Sequence, residues 1–159
     1  MHDVQRDYAP LILFYAGDRR HLFSLFRLAD DSVAAINRYV NAGVVLVALD
    51  VDEVVGHLQL IQTDPWQINS LAVVPSHRRR AIGRALVETA VKHARGVGVR
   101  TIEVATAAAD LGALRFYQRL GFRMTRIERD AFTESAGYPA DAMVDGVPLL
   151  DRVWLERAI

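Results

Sequence analysis

Ser70-Leu71-Ala72-Val73-Val74-Pro75-Ser76-His77-Arg78-Arg79-Arg80-Ala81-Ile82-Gly83-Arg84-Ala85-Leu86 runs from a β-rich segment through a proline turn and an arginine-rich loop into a helix. That construction makes an anion site. Amides of the loop and of the first helical turn have no helical partner, and the helix dipole adds roughly half a positive charge, so a diphosphate can dock there. The expected contacts are the backbone amides from Arg79 through Arg80, Ala81, Ile82 and Gly83 to Arg84, with the Arg78 and Arg79 side chains flanking. No Gly-Lys-Ser/Thr follows the loop and no Gly-x-Gly-x-x-Gly occurs, which excludes a Walker-type loop and a dinucleotide fingerprint.

Downstream, Ile82, Ala85, Leu86, Thr89, Ala90 and His93 fall on one helical face, and Gly96 or Gly98 supplies the stop. Thr101 to Thr106 reads as a strand. Asp110 caps a helix through Leu120, and Gly121 stands where a left-handed residue ends it. Upstream, Val44 to Leu49 and Val54 to Ile61 read as an antiparallel hairpin, and Gln67 to Val74 as the next strand. Phe122 to Arg129 and Leu150 to Leu155 complete the strands, with the Gly/Pro-containing stretch from Ala131 to Pro148 as a loop or long hairpin tip. Near the start, Leu11, Phe14, Tyr15, Leu22, Leu25 and Phe26 recur at helical spacing, suggesting one broken or two short helices before Asp30; Asp31-Ser32 then caps a further short helix ending at Asn41-Ala42-Gly43.

The segment Asp110-Leu111-Gly112-Ala113-Leu114-Arg115-Phe116-Tyr117-Gln118-Arg119-Leu120-Gly121-Phe122 resembles the Asn-x-x-Ala-x-x-x-Tyr-x-x-x-Gly-Phe signature of the GNAT superfamily, the GCN5-related N-acetyltransferases. The arginine loop is similar to that family's Gln/Arg-x-x-Gly-x-Gly/Ala acetyl-CoA motif, with Ala81 at its first glycine, and the resemblance covers residues 44 to 127. It implies an α/β fold: a mixed, mostly antiparallel sheet of six to seven strands, helices on both faces, and a splayed central strand pair that admits the acetyl-pantetheine arm. It implies acetyl-CoA as co-substrate, with Leu71, Ala72 and Val73 beside the arm, a Leu71 or Val73 amide steadying the oxyanion, and Asp110, Ala113 and Phe116 near the cofactor. Tyr117 takes the family tyrosine's place beside the thioester sulfur, where a phenol of pKa about 10 can protonate a thiolate whose acid has pKa about 8.5. Asp110 replaces the family's Asn. Gln67 stands where many members carry Glu as general base, and an amide cannot take a proton.

The missing base constrains the substrate. An alkyl amine of pKa about 10.4 is unprotonated in about one part in 2500 at pH 7, a handicap of about 4.6 kcal/mol, whereas an α-amino group faces only about 1 to 1.4 kcal/mol. Other candidate bases are Asp64, His57, Glu103, Glu128, Asp130 and Glu134; His21 and His93 read as structural. Residues 77–100 hold seven Lys or Arg and one acid, while residues 128–151 hold six acids and one base. A basic half for an anionic cofactor and an acidic rim of Glu128, Asp130 and Glu134 for a cationic acceptor follow, with Trp66, Gln67, Phe132 and Tyr138 at the acceptor end.

The 159 residues fit one domain spanning 1–159, 52% hydrophobic, 24% charged and with zero net charge, which argues against disorder and against a globally basic nucleic-acid binder. Cysteine is absent, so a Cys nucleophile and thiolate metal sites are excluded, and no His/Asp/Glu spacing suggests a metal. Together with the chemistry that the resemblance implies, this makes direct transfer in a ternary complex the expected route. The apolar stretch Tyr8 to Leu28 is broken by Asp18-Arg19-Arg20-His21, so a cytoplasmic protein without membrane association is expected. The expected acceptor is a primary amine on a small molecule, such as an antibiotic, polyamine or amino-acid-like amine. The rivals are a protein N-terminal or lysine acetyltransferase and a non-catalytic acyl-CoA sensor. Terminal strands offer edges for a homodimer.

Overall fold

A computed structural model describes residues 9–159; Tyr8, the first residue of the apolar stretch, lies outside the described residues. The Val44–Asp50 strand (β2) turns at Val51-Asp52 into Glu53–Ile61 (β3), which pairs antiparallel with Trp66–Val73 (β4). The β-branched, apolar composition of these runs suits strands buried on both faces. The arginine loop leads into Ile82–Gly96 (α3), then Thr101–Ala107 (β5), Leu111–Arg119 (α4), Arg123–Glu128 (β6), a small hairpin of Met143–Val144 (β7) and Val147–Pro148 (β8), and Arg152–Ala158 (β9). Asp110 caps α4 through Oδ1, which accepts from the Ala113 amide at 2.9 Å, and Gly121 ends it at φ 88°.

The amino-terminal region corrects the helical reading. Leu11–Phe14 is a strand (β1) paired antiparallel with β2, and the helical part is confined to a 3₁₀ turn at Arg19–Leu22, Phe23–Ala29 (α1) and Val33–Tyr39 (α2). Leu11-Ile12-Leu13-Phe14 is a continuous apolar run too short for its period to tell strand from helix; the edge of β2 decides it. The buried stripe of α3 is also rotated from the expected face. Ile82, Leu86, Val87, Ala90, Val91 and Ala94 are buried, whereas Ala85, Thr89 and His93 are half-buried at its flank.

The main sheet has the order β1-β2-β3-β4-β5-β9-β6. Its pairings are antiparallel except β4 with β5, which are parallel over three pairs only, from Trp66–Ile102 to Ile68–Val104. Two layers of core result. Leu46, Leu58, Leu60 and Ile68 pack with α3, Leu114 and Phe122 on one face, while Val45 and Val47 pack with Leu25 and Phe26 of α1 and Ile36 of α2 on the other. Among the described residues no helix is long and apolar enough to cross a membrane.

Candidate active site

Beyond Ile68 and Val104, β4 and β5 part, and a cavity of about 500 Å³ opens between them. Gln67 to Leu71 form one wall and Val104 to Ala107 the other; Asp110, Ala113 and Tyr117 of the α4 region close one side. The facing backbone edges have no strand between them, so an extended amide-bearing chain can bond to either. Leu71 lies at this gap, and Ala72 and Val73 continue the same strand past it.

At the start of α3, the first helical bond is donated by Ala85 to the Ala81 carbonyl at 3.0 Å, which leaves the amides of Ile82, Gly83 and Arg84 without a helical partner. Arg79 and Ala81 both lie in the left-handed region, at φ 63° and 59°, so alternating backbone signs curl the loop amides into an anion-binding concavity. Ala81 thus occupies a backbone position that favours glycine. A Cβ on Gly83 would come within 3.2 Å of Phe116, so the first turn of α3 approaches α4 closely. Arg78 folds back, donating from Nε to the Val73 carbonyl at 3.1 Å and tying the loop to the end of β4. The loop and the cavity lie at opposite ends of the Leu71–Val73 stretch. A phosphorylated cofactor with a long amide arm fits this pairing of anion cradle and unfilled strand gap.

Tyr117 is 7% exposed, with ring contacts to Phe116 at 5.0 Å and Phe122 at 5.6 Å. Burial, and secondarily the charge of Asp110, push its phenol well above the usual range, so it keeps its proton at neutral pH.

The far end of the cavity is built by the α1–α2 corner and by residues 131–149. Asp30, Asp31, Arg38 and Tyr39 line it beside Phe132, Tyr138, Arg152 and Trp154. Asp30 is held by three donors: the Ser32 amide at 2.9 Å, the Tyr138 hydroxyl at 2.7 Å and the Tyr39 hydroxyl at 3.0 Å. Both phenols are pushed upward, by burial first and then by the Asp30 carboxylate. Ser32 also caps α2 by accepting from the Ala35 amide and donates to the Ala136 carbonyl at 3.2 Å. The stretch from Ala131 to Pro148 is a loop ending in the β7–β8 hairpin, and it is docked on the helix corner through Ala136 and Tyr138.

The sequence-selected acceptor residues divide accordingly. Gln67, Phe132 and Tyr138 line the cavity. Trp66 lies at the opposite end of β4, its ring 5.7 Å from His93. The structure does not bring the acidic rim into the cavity lining: Glu128 is taken up by Arg152 at 3.0 Å and the Trp154 indole N–H at 3.3 Å, Asp130 sits at a turn with φ 54°, and Glu134 begins an exposed helical turn. The carboxylates that do line it are Asp30, Asp31 and Asp110. Of the other candidate bases, Asp64 is exposed beside Trp66, and Glu103 lies 3.7 Å from Arg126. His57 is fully buried behind Ser70. Sequence reasoning missed the helix corner because Asp31-Ser32 reads as a cap and nothing more, and the meeting of Asp30 with Tyr138 spans 108 positions.

A model of the Acetyltransferase (GNAT) family matches residues 11–122. The uncharacterised N-acetyltransferase YvbK of Bacillus subtilis (strain 168) is 32% identical over 136 residues, which cover 84% of this chain and 86% of that protein. Among solved structures, an IAA acetyltransferase from Bacillus cereus ATCC 14579 superimposes with a TM-score of 0.85 at 29% identity, covering 95% of this chain and 100% of the other. An acetyltransferase of Bacillus subtilis solved in complex with CoA also gives a TM-score of 0.85 at 29% identity, over 95% and 99% of the two chains.

Proposed function

The chain belongs to the GNAT acetyltransferase family, and from that premise we propose that it passes acetyl directly to a primary amine of a small, cationic molecule. It is an acetyl-CoA-dependent N-acetyltransferase. Bound acetyl-CoA supplies a thioester carbonyl open to amine attack. The arginine loop and the amides of Ile82, Gly83 and Arg84 hold the diphosphate, Leu71 to Val73 bond the arm along the open edge of β4, and Ala113 and Phe116 pack beside it. The Leu71 amide donates to the acyl oxygen as charge develops there. Tyr117 holds the proton needed by the departing sulfur.

The observation that carries the acceptor reading is the lining of one end of the cavity by the 131–148 segment, pinned at Tyr138 and Ser32. A space of about 500 Å³ lined in that way suits a small molecule, whereas an extended peptide would need the segment displaced. The Asp30 and Asp31 carboxylates supply the attraction for positive charge that the sequence assigned to Glu128, Asp130 and Glu134. A second positive charge on the acceptor also lowers the pKa of its reacting amine, which suits a site where Gln67 replaces a base.

The test is CoA release from acetyl-CoA across amines of pKa 7 to 10.5, with thermal shift reporting cofactor binding. We expect acceptor-dependent release that favours dicationic or α-amino acceptors over simple alkyl amines. Release only with a peptide or protein acceptor would replace the small-molecule reading.

A further inference from the structure

His57 of β3 and Ser70 of β4 are buried polar residues, and the roles above use neither. His57 is fully buried and Ser70 is 5% exposed; His57 Nε2 lies 2.8 Å from Ser70 Oγ. The imidazole packs 4.4 Å from the ring of Phe26, and its Nδ1 has no hydrogen-bond partner among the described residues. Burial holds the ring's pKa down at about 3, so at neutral pH it carries one proton.

Where that proton sits follows from the orphaned nitrogen. A proton on Nδ1 would bury an N–H donor with no acceptor, the costlier defect; a proton on Nε2 leaves only a bare lone pair unmatched. Nε2–H therefore donates to Ser70 Oγ. Ser70 cannot then give its own hydrogen to His57, and among the described residues its Oγ has no other bonded partner. Ser70 lines the cavity two residues beyond Ile68, where β4 leaves β5, and directly precedes Leu71.

We propose that the Ser70 hydroxyl donates a hydrogen bond to a carbonyl-type oxygen of the bound reactants, with His57 as the positioning residue that turns it into the cavity. Two oxygens offer this chemistry: that of the acetyl group being transferred, and a carbonyl or carboxylate on the acceptor beside its amine. The proposal rests on the acyl-transfer reading. It also removes His57 from the candidate bases, because the ring's only cavity-side nitrogen already carries a hydrogen.

The first measurement is independent of turnover. Ring-nitrogen NMR of protein labelled with ¹⁵N-histidine should find His57 neutral with the proton on Nε2; a proton on Nδ1 would overturn the proposal even if every acetylation assay succeeded. Kinetics follow. Ser70→Ala should lose at least tenfold in kcat/KM, Ser70→Thr should stay within about threefold of the parent, His57→Gln should retain most activity by keeping an N–H donor, and His57→Leu should fall with Ser70→Ala. A kcat loss common to all acceptors assigns the acyl oxygen; a KM rise confined to acceptors with an oxygen beside the amine assigns the acceptor. Because Ser70→Ala strands a buried N–H, the double variant Ser70→Ala/His57→Leu serves if the single one does not fold. Parent-like turnover in any folded variant without the hydroxyl defeats the proposal. If the parent acetylates no amine, the transfer reading fails, while the tautomer still decides the hydroxyl's orientation.

Discussion

At Ala81 the backbone takes φ 59°, a conformation that costs an L-residue about 1–2 kcal/mol. Glycine there would relieve that strain while losing about 0.5–1 kcal/mol more chain entropy on folding. The strain term is the larger, so Ala81→Gly should stabilise the protein by up to about 1 kcal/mol and, by removing a methyl from the anion cradle, tighten acetyl-CoA binding. Chemical denaturation and calorimetry with acetyl-CoA measure the two effects; weaker cofactor binding would mean that the curl at Ala81 is not part of the cradle. Tyr117 is a different case, since its ring is core and its hydroxyl reaches the cavity side. Tyr117→Phe keeps the ring packing with Phe116 and Phe122, so acetyl-CoA affinity should persist while kcat drops at least tenfold. Unchanged kcat would take the acid role from it.

Between elements, the decisive contact is the one from Tyr138 to Asp30. A hydrogen bond to a carboxylate contributes about 1.5–3 kcal/mol, and this one fastens the 131–148 lining of the acceptor cavity to the α1–α2 corner. Tyr138→Phe should raise the acceptor KM severalfold with acetyl-CoA affinity unchanged; equal rises in both constants would place the damage in the sheet instead. Gly137 marks the same junction, for a Cβ there would collide with Ser32 Oγ. Tyr138 was legible as an aromatic of the acceptor end and Asp31-Ser32 as a cap, but their meeting was not, because the Asp30–Tyr138 pair spans 108 positions and the rest of residues 131–148 carries turn signals. The hairpin β2–β3, the cap at Asp110 and the left-handed Gly121 were legible, because each is written in neighbouring residues. Strand β1 was not, because an apolar tetrad takes its conformation from the strand beside it. The anion cradle and Tyr117 could be found by motif, but the acceptor end is assembled from α1, α2, β4 and a distant loop. Asp30, Asp31, Arg38 and Tyr39 are close in sequence, but only the tertiary fold sets them against β4 and residues 131–149. His57 did leave a trace, as a titratable residue within a strand, whereas Ser70 is one of three polar positions on its strand, with Gln67 and Asn69, and gave no separate signal.

Over the whole molecule, zero net charge conceals a basic segment at 77–100, so acetyl-CoA binding should weaken as salt rises from 50 to 500 mM, the Debye length shrinking from about 14 to about 4 Å. Affinity unchanged across that range would assign the binding to the arm and not to the arginines. Stability of the whole fold should also depend on acid, through one buried group. Burial holds the His57 imidazole down at about 3, against its ordinary value of 6.5, so between those values the unfolded chain binds one more proton than the native state. Stability from this group is then complete above about pH 6.5 and is lost as pH falls toward 3, at about 1.4 kcal/mol per pH unit over most of that window. At pH 5 the loss amounts to about 2 kcal/mol. His57→Leu, with no proton to gain, should lack that part of the acid sensitivity. Urea unfolding of parent and variant from pH 7 to 5 decides the matter: the difference between their stabilities should shift by about 2 kcal/mol in the variant's favour. Parallel curves would mean that the imidazole is reached by water and protonates in place.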